Sequence, residues 1–242
     1  MLLTPQEADL FFKLHWSLMC FVNKRLQVVP QIDTPDQFSA LSPEVRLKVR
    51  DAFLDETDLI ELFLDANPFH LNDEELDIVA LWRHQVAGKF FIFRHLKSHA
   101  VFLATEEPPT AYGVVALTDP FENLIGPYLP ILTETVLLPF QGKIVYDGLL
   151  SSFSISFGPG IRRGLNESYK AAKERLGIVT SLPIEAHPVA LQKPKKKTKP
   201  KSVRASSDEV RDVLEVIHSM VNQFCRDHLV SGRLKRGHLW AL

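Results

Sequence analysis

Apolar residues recur at spacings of three and four near the start of the chain. Phe11, Leu14, Leu18, Phe21 and Val22 form one stripe, and Phe12, Trp16 and Met19 widen it. The pattern predicts a helix from Pro5 to about Leu26 that is buried on most sides. Thr4-Pro5-Gln6-Glu7 supplies its start, with a capping hydroxyl, a proline at the first helical position and a glutamate that completes a capping box. Residues 28–40, with Pro30 and Pro35, read as a loop. Ser42-Pro43-Glu44 opens a second helical stretch through Leu64, broken near Asp55 and stopped by Asn67-Pro68. Asn72-Asp73-Glu74-Glu75 caps a further helix that ends near Ala87-Gly88.

The period then shortens. Lys89–His95, Ala100–Thr105, Ala111–Leu117, Thr133–Leu138, Gly142–Tyr146 and Phe153–Phe157 are short β-rich runs. Gln141-Gly142 and Asp147-Gly148 supply turns between them. Gly158-Pro159-Gly160 opens another helix, Ile161 to Leu176, closed by Gly177, and Ile178–Leu182 reads as a last strand. Residues 186–207 are rich in Pro, Lys and Ser and are expected to be disordered. Ser206-x-x-Glu209 caps a helix from Asp208 to about Val230 with Val213, Ile217, Val221 and Phe224 as its stripe. The apolar ending His238-Leu239-Trp240-Ala241-Leu242 points to docking on the body, to a partner, or to a truncated domain.

The reading is an α+β protein. A helical N-terminal part (1–88) packs on a small antiparallel β-barrel or bent sheet with one helix (89–185), and the two form one compact domain. A Lys/Pro-rich linker (186–207) and a C-terminal helix (208–242) follow.

Charge changes this picture. The net charge of −1 hides a segregation: residues 1–190 carry 16 Lys/Arg against 24 Asp/Glu, and residues 191–242 carry 12 against 5. The cationic excess sits in the tract Lys193–Arg204, with six Lys and one Arg. Such an asymmetry fits an anionic partner or a solvated linker. Composition is otherwise ordinary for a globular chain of 242 residues, which excludes collagen-like and disulfide-scaffold classes. Two cysteines, Cys20 and Cys225, make no disulfide framework and favour a reducing, cytoplasmic compartment. The first residues carry early acids and no basic region of a signal peptide, and Lys13 and His15 interrupt the Phe11–Val22 stretch, so no membrane association is expected.

Several segments carry a resemblance. They are L-T-P-Q-E-A-D-L-F-F-K-L (Leu3–Leu14), A-Y-G-V-V-A-L-T-D-P-F (Ala111–Phe121), P-F-Q-G-K-I-V-Y-D-G-L-L (Pro139–Leu150), F-G-P-G-I-R-R-G-L-N-E-S-Y (Phe157–Tyr169) and G-I-V-T-S-L-P (Gly177–Pro183). Together they resemble a family of uncharacterised bacterial proteins over roughly residues 1–185, a likeness that implies no activity and no catalytic residues. Residues 208–228, closing on the run V-N-Q-F-C-R-D-H-L (Val221–Leu229), resemble the start of a separate helical domain of unknown function.

Five features carry candidate chemistry. The turn of Gly158 and Gly160 presents backbone N–H groups at a helix start, where Arg162 and Arg163 would clamp a phosphate or carboxylate; the alternative is a tight turn with solvated arginines. Asp147 at a strand end, with Lys143 and Asp119, is the candidate set for a metal-dependent hydrolase or nuclease, although Asp-Gly is also a common hairpin turn and a second metal-binding carboxylate is lacking. His84, His95 and His99, and Cys225-x-x-His228 with His218 and His238, are weighed as metal ligands and read as ordinary surface residues. Lys193, Lys195, Lys196, Lys197, Lys199 and Lys201 would neutralise phosphates without stacking on bases, or serve only as a linker. Asp51, Asp55, Glu56, Asp58, Glu61 and Asp65 read as a solvated face, or as a receptor for the basic tract in the same chain.

The function expected is a non-enzymatic cytoplasmic interaction or regulatory module. It contacts an anionic partner, most simply a protein, through the basic linker and the glycine-rich turn. The alternatives are a weak, sequence-independent nucleic-acid binder and a metal-dependent hydrolase or nuclease. No cofactor and no metal is called for.

Overall fold

The computed structural model describes residues 2–56, 58–153, 155 and 157–184, together with the strand at 238–241. The predicted linker, the helix at 208–230, the Lys tract, Cys225, His218 and His228 lie outside the described residues.

Five helices come first: α1 (Pro5–Leu26), α2 (Pro35–Ser39), α3 (Pro43–Leu54), α4 (Leu59–Ala66) and α5 (Asp73–Leu81), followed by a 3₁₀ turn at Trp82–His84. Their starts follow local chemistry. Thr4 and Glu7 exchange both bonds of a capping box on α1, and Asn72 and Glu75 do the same on α5. The expected loop at 28–40 contains α2, because Thr34-Pro35-x-Gln37 repeats the α1 signature and closes a capping box of its own. Buried Phe38 anchors that short helix. The helix expected to reach Ala87-Gly88 stops at Leu81 instead. There the chain tightens into the 3₁₀ turn, and Trp82 Nε1 donates to the Pro139 carbonyl at 3.0 Å.

The strands are β1 (Val86–His95), β2 (Ala100–Ala104), β3 (Ala111–Val115), β4 (Ile131–Phe140), β5 (Lys143–Tyr146), β6 (Leu149–Phe153), β7 (Ile178–Val179) and β8 (His238–Ala241). The short helix α6 (Phe121–Ile125) stands between β3 and β4, and α7 (Pro159–Arg175) follows β6. The strand expected at Phe153–Phe157 lies four residues earlier, as β6, and the one expected at Ile178–Leu182 keeps only its first two residues. Residues 238–241 form a strand, where the sequence reading had a C-terminal helical region.

The pairings close into a ring: β1 with β2, β2 with β3, β3 with β5, β5 with β4, and β4 back to β1. The result is a five-stranded barrel. It is mixed rather than wholly antiparallel, since β3 runs parallel to β5 and to β7. The Gln141-Gly142 turn joins β4 to β5 with φ of 47° and 73°, the pair of positive values that a two-residue hairpin loop requires. Asp147-Gly148 is different. β5 and β6 both run antiparallel to β4 along the same edge, β5 against Leu137–Phe140 and β6 against Leu132–Glu134. Asp147-Gly148 is therefore a kink between collinear strands and not a hairpin turn.

Strand alternation divides the core. Register places Phe90, Ile92, Phe102, Tyr112, Val114, Thr133, Thr135, Ile144 and Tyr146 on the inner face of the barrel. On the outside, Phe91, Phe93, Val101, Leu103, Ala111 and Leu132 form a separate apolar cluster with Leu165, Tyr169 and Ala172 of α7. The other outer flank carries Phe140, whose ring meets Phe11 of α1 edge-on at 5.5 Å. α7 thus covers one outer flank, and the N-terminal helices led by α1 cover the other.

Candidate functional site

Asp147 sits where β5 gives way to β6, and Gly148 beside it has φ of 83°, a left-handed conformation that turns the chain. Asp147 Oδ1 accepts from the Leu149 N–H at 3.1 Å, and the Thr135 hydroxyl lies 3.1 Å from it while sharing its single hydrogen with the nearer Leu149 carbonyl at 2.8 Å. Arg50 of α3 donates from Nη1 to Asp147 Oδ2 at 3.2 Å and from Nε to Asp51 Oδ1 at 2.8 Å. The Arg50 and Asp147 side chains are only 6% and 2% exposed, so this ion pair is buried.

Burial pushes the Asp147 carboxyl up from its ordinary value, while Arg50, the Leu149 N–H and the Thr135 hydroxyl oppose that rise. Burial alone would lower Arg50, but Asp147, Asp51 and Glu134 outweigh it and hold the guanidinium above its ordinary value. The contacts decide between these two pulls: the Leu149 N–H and the Arg50 guanidinium both donate to the carboxylate, with the Thr135 hydroxyl beside it, so the geometry suits its ionised form at neutral pH.

Next to this pair lies His15 of α1. Burial, with the positive charges of Arg46 and Arg50, lowers it to about 3, so the imidazole is neutral at physiological pH. His15, Trp82, Gln85, Arg50 and Asp147 surround a space of about 10 Å³. That is room for about one water and not for a substrate.

The hydrolase candidates do not converge. Lys143 is paired with Glu7 of α1, and this contact holds the Glu7 carboxyl below its ordinary value. Asp119 is exposed and takes a 3.4 Å contact from the Thr118 hydroxyl. Asp147 is bound to Arg50 and Thr135. Each of the three side chains has its own neighbours, and none shares a partner with another in these bonds. No group of three His, Cys, Asp or Glu residues placed to hold a metal occurs among the described residues.

The glycine-rich turn behaves as the start of α7. Gly158 is its N-cap residue in extended conformation and Pro159 its first residue. Arg162 is turned back on the framework: Nε donates to the Phe157 carbonyl at 3.0 Å and Nη1 to the Leu129 carbonyl at 3.1 Å. Gly160 and Arg163 are exposed beside it.

The histidines divide. His95 Nδ1 stands 3.7 Å from Glu122 Oε1, and His99 Nδ1 makes a 2.9 Å bond with the Ser98 hydroxyl. The His99 ring lies against Gly113, where a Cβ would come within 2.8 Å of it. Burial lowers His99 from its ordinary value.

A larger cavity of about 290 Å³ lies at one end of the barrel. The first residues of β1, the loop Glu106–Thr110, and Arg175 and Leu176 line it. Arg175 Nη2 donates to the Pro109 carbonyl at 3.0 Å and to Thr110 Oγ1 at 2.8 Å, which ties the end of α7 to that loop.

Arg50, Thr135, Glu7 and His15 belong to the region of Asp147 and Lys143 without any sequence motif that marks them as site residues. Arg50 left a trace, because it falls among Leu47, Val49 and Phe53 on the buried side of α3. A cation in an apolar stripe requires a buried anion. Among the described residues, no helix is long and apolar enough to cross a membrane. Comparison with family models, curated proteins and solved structures finds no match to this chain.

Proposed function

We propose that this chain is a non-enzymatic cytoplasmic interaction or regulatory module that contacts an anionic partner. Lys193, Lys195, Lys196, Lys197, Lys199 and Lys201 are its main contacts. The first turn of α7 is the secondary one. The observation that carries the reading is the segregation of charge: an acidic body of residues 1–190 and a cationic excess confined to one tract. The site geometry supports it, since Asp147 and Lys143 are both held in ion pairs within the framework. At the α7 start, Arg162 is engaged with two carbonyls, so Arg163 and the N–H groups of the first turn are the part that meets the partner.

The second reading is sequence-independent nucleic-acid binding through the same tract. Five-stranded barrels of the OB type bind oligonucleotides on the face of strands 2 and 3. Here α7 covers the outer face of β1, β2 and β3 with Leu165, Tyr169 and Ala172. Nucleic acid would therefore meet the lysines and not the barrel, and with no aromatic in the tract it would bind without base preference.

The test is fluorescence anisotropy of polyglutamate, mixed-sequence DNA and mixed-sequence RNA against salt, with the full chain and with a full-length variant carrying Gln at the six lysines. Polyglutamate bound more tightly than either nucleic acid, and lost in the variant, is the expected result. Duplex DNA bound best, with a salt slope approaching about −6 for seven cationic contacts, selects the second reading. Equal binding by the variant and the parent overturns both.

A further inference from the structure

The chain's last described strand lies on an edge of the barrel sheet. β6 pairs with β4 on one side, Leu132 with Phe153, Thr133 with Ser152 and Glu134 with Ser151. On its other side it pairs antiparallel with β8, Leu149 with Ala241, Leu150 with Trp240, Ser151 with Leu239 and Ser152 with His238. Without β8 that side of β6 would be a row of unpaired N–H and C=O groups beside Leu149 and Leu150, which are buried. An edge of this kind accepts an extended segment.

Residues 185–237 separate β8 from the rest of the described chain. The same four-pair ladder forms whether β8 comes from its own chain or from another copy. The choice then depends on the effective concentration of the tethered strand against the concentration of the chain, and a long tether lowers the former. We propose that the outer edge of β6 is a strand-acceptor site and that its occupant exchanges between copies. In the exchanged form, β8 of each chain completes the sheet of the other, giving a two-fold dimer. Because Lys193–Lys201 precedes β8 in the chain, each exchanged dimer carries two basic tracts. The acceptor site does not depend on the anion-binding reading.

The test uses two full-length chains in a Cys225→Ser background, one with Ser151→Cys and the other with Leu239→Cys. These positions are direct cross-strand partners, at a spacing that a disulfide spans. The chains are mixed in equal amounts over a range of concentrations, oxidised and separated without reductant. The expected result is a covalent heterodimer whose fraction rises with concentration, joined at the two introduced thiols by peptide mass mapping. Trp240→Pro together with Ala241→Pro in the Leu239→Cys chain abolishes it, because alternate residues of an edge strand donate to its partner and one of these two must. A single chain carrying both thiols reports the pairing itself. An intrachain bond there, with no heterodimer in any mixture, overturns exchange. No disulfide in either format overturns the acceptor site. Ser152→Cys with His238→Cys repeats the test on the neighbouring pair if Ser151→Cys does not fold, as judged by circular dichroism.

Discussion

Arg50 and Asp147 stand 97 residues apart in the chain and 3.2 Å apart in the fold, with both side chains almost wholly excluded from solvent. The pair joins α3 to the kink between β5 and β6, and with the more exposed pair of Lys143 and Glu7 it ties the N-terminal helices to the barrel. Removing one partner leaves the other buried and uncompensated, which typically costs about 3–5 kcal/mol. Asp147→Leu and Arg50→Met are each expected to fall in that range, and the double variant to be less destabilised than the sum of the two. Urea denaturation of the four proteins measures the coupling. Additive losses would show that the two side chains act separately. A thermal melt bears on the hydrolase reading: Mg²⁺, Mn²⁺ or Zn²⁺ should leave the melting temperature of the parent unchanged. A metal-dependent rise that Asp147→Asn abolishes would restore Asp147 as a ligand.

His15 predicts a pH dependence with a definite sign. Its folded value of about 3 lies below the ordinary value of 6.5, so the unfolded chain binds a proton that the folded chain does not. Stability from the neutral imidazole is fully present above about pH 6.5 and declines as pH falls towards 3. The slope through that window is about 1.4 kcal/mol per pH unit for one group. Glu7 and Glu75, both held below their ordinary values by lysine partners, add a loss of the same sign at more acid pH. Asp147, whose value is raised, acts in the opposite sense. His15→Leu isolates the imidazole: between pH 6.5 and 4.5 its denaturation midpoints should fall less steeply than those of the parent. Parallel profiles would place the titrating group elsewhere.

Asn23 sets the exit of α1. Its side chain donates from Nδ2 to the Val29 carbonyl at 2.9 Å and accepts the Val29 N–H on Oδ1 at 2.8 Å, with the residue 1% exposed. The amide thus satisfies both backbone groups of Val29 from inside the helix. Asn23→Ala leaves that donor and acceptor unmet, at a cost of about 1–3 kcal/mol. Asn23→Asp keeps the acceptor and loses the donor, so its thermal midpoint is expected between those of the parent and the alanine variant. An alanine variant as stable as the parent would mean that water replaces the amide.

Helix starts were legible because their chemistry is local. Thr4 with Glu7 and Asn72 with Glu75 lie three residues apart, and each pair closes the bonds that its spacing implies. Thr34 with Gln37 carries the same signal, but Pro30 and Pro35 make the stretch read as loop and only Phe38 anchors it. Strand existence was legible from composition; pairing direction was not. The parallel contact of Val114 with Ile144 depends on how β4 and α6 return the chain, which no short window contains. Asp147-Gly148 shows the same limit at the site. Asp-Gly signals a hairpin in isolation. Here the aspartate is drawn inward by an arginine from a distant helix, and the glycine serves the kink.

Leu165 tests whether α7 is a fixed cover on the barrel. It is 1% exposed and belongs to the cluster that joins α7 to Phe91, Val101, Leu103 and Leu132. Truncating a buried leucine costs about 2–5 kcal/mol, depending on how far the surroundings collapse. Leu165→Ala is expected to fall in that range and to increase binding of a hydrophobic dye, because the aromatic face of β1 then opens to solvent. Arg163→Gln, on the exposed side of the same helix, should leave stability within about 0.5 kcal/mol. Leu165→Ala, set against the parent, also separates two routes to nucleic acid. If α7 blocks the barrel face, Leu165→Ala should bind mixed-sequence RNA in high salt, where contacts to the lysine tract are screened. If the parent and Leu165→Ala both fail to bind there, any RNA contact belongs to the tract alone.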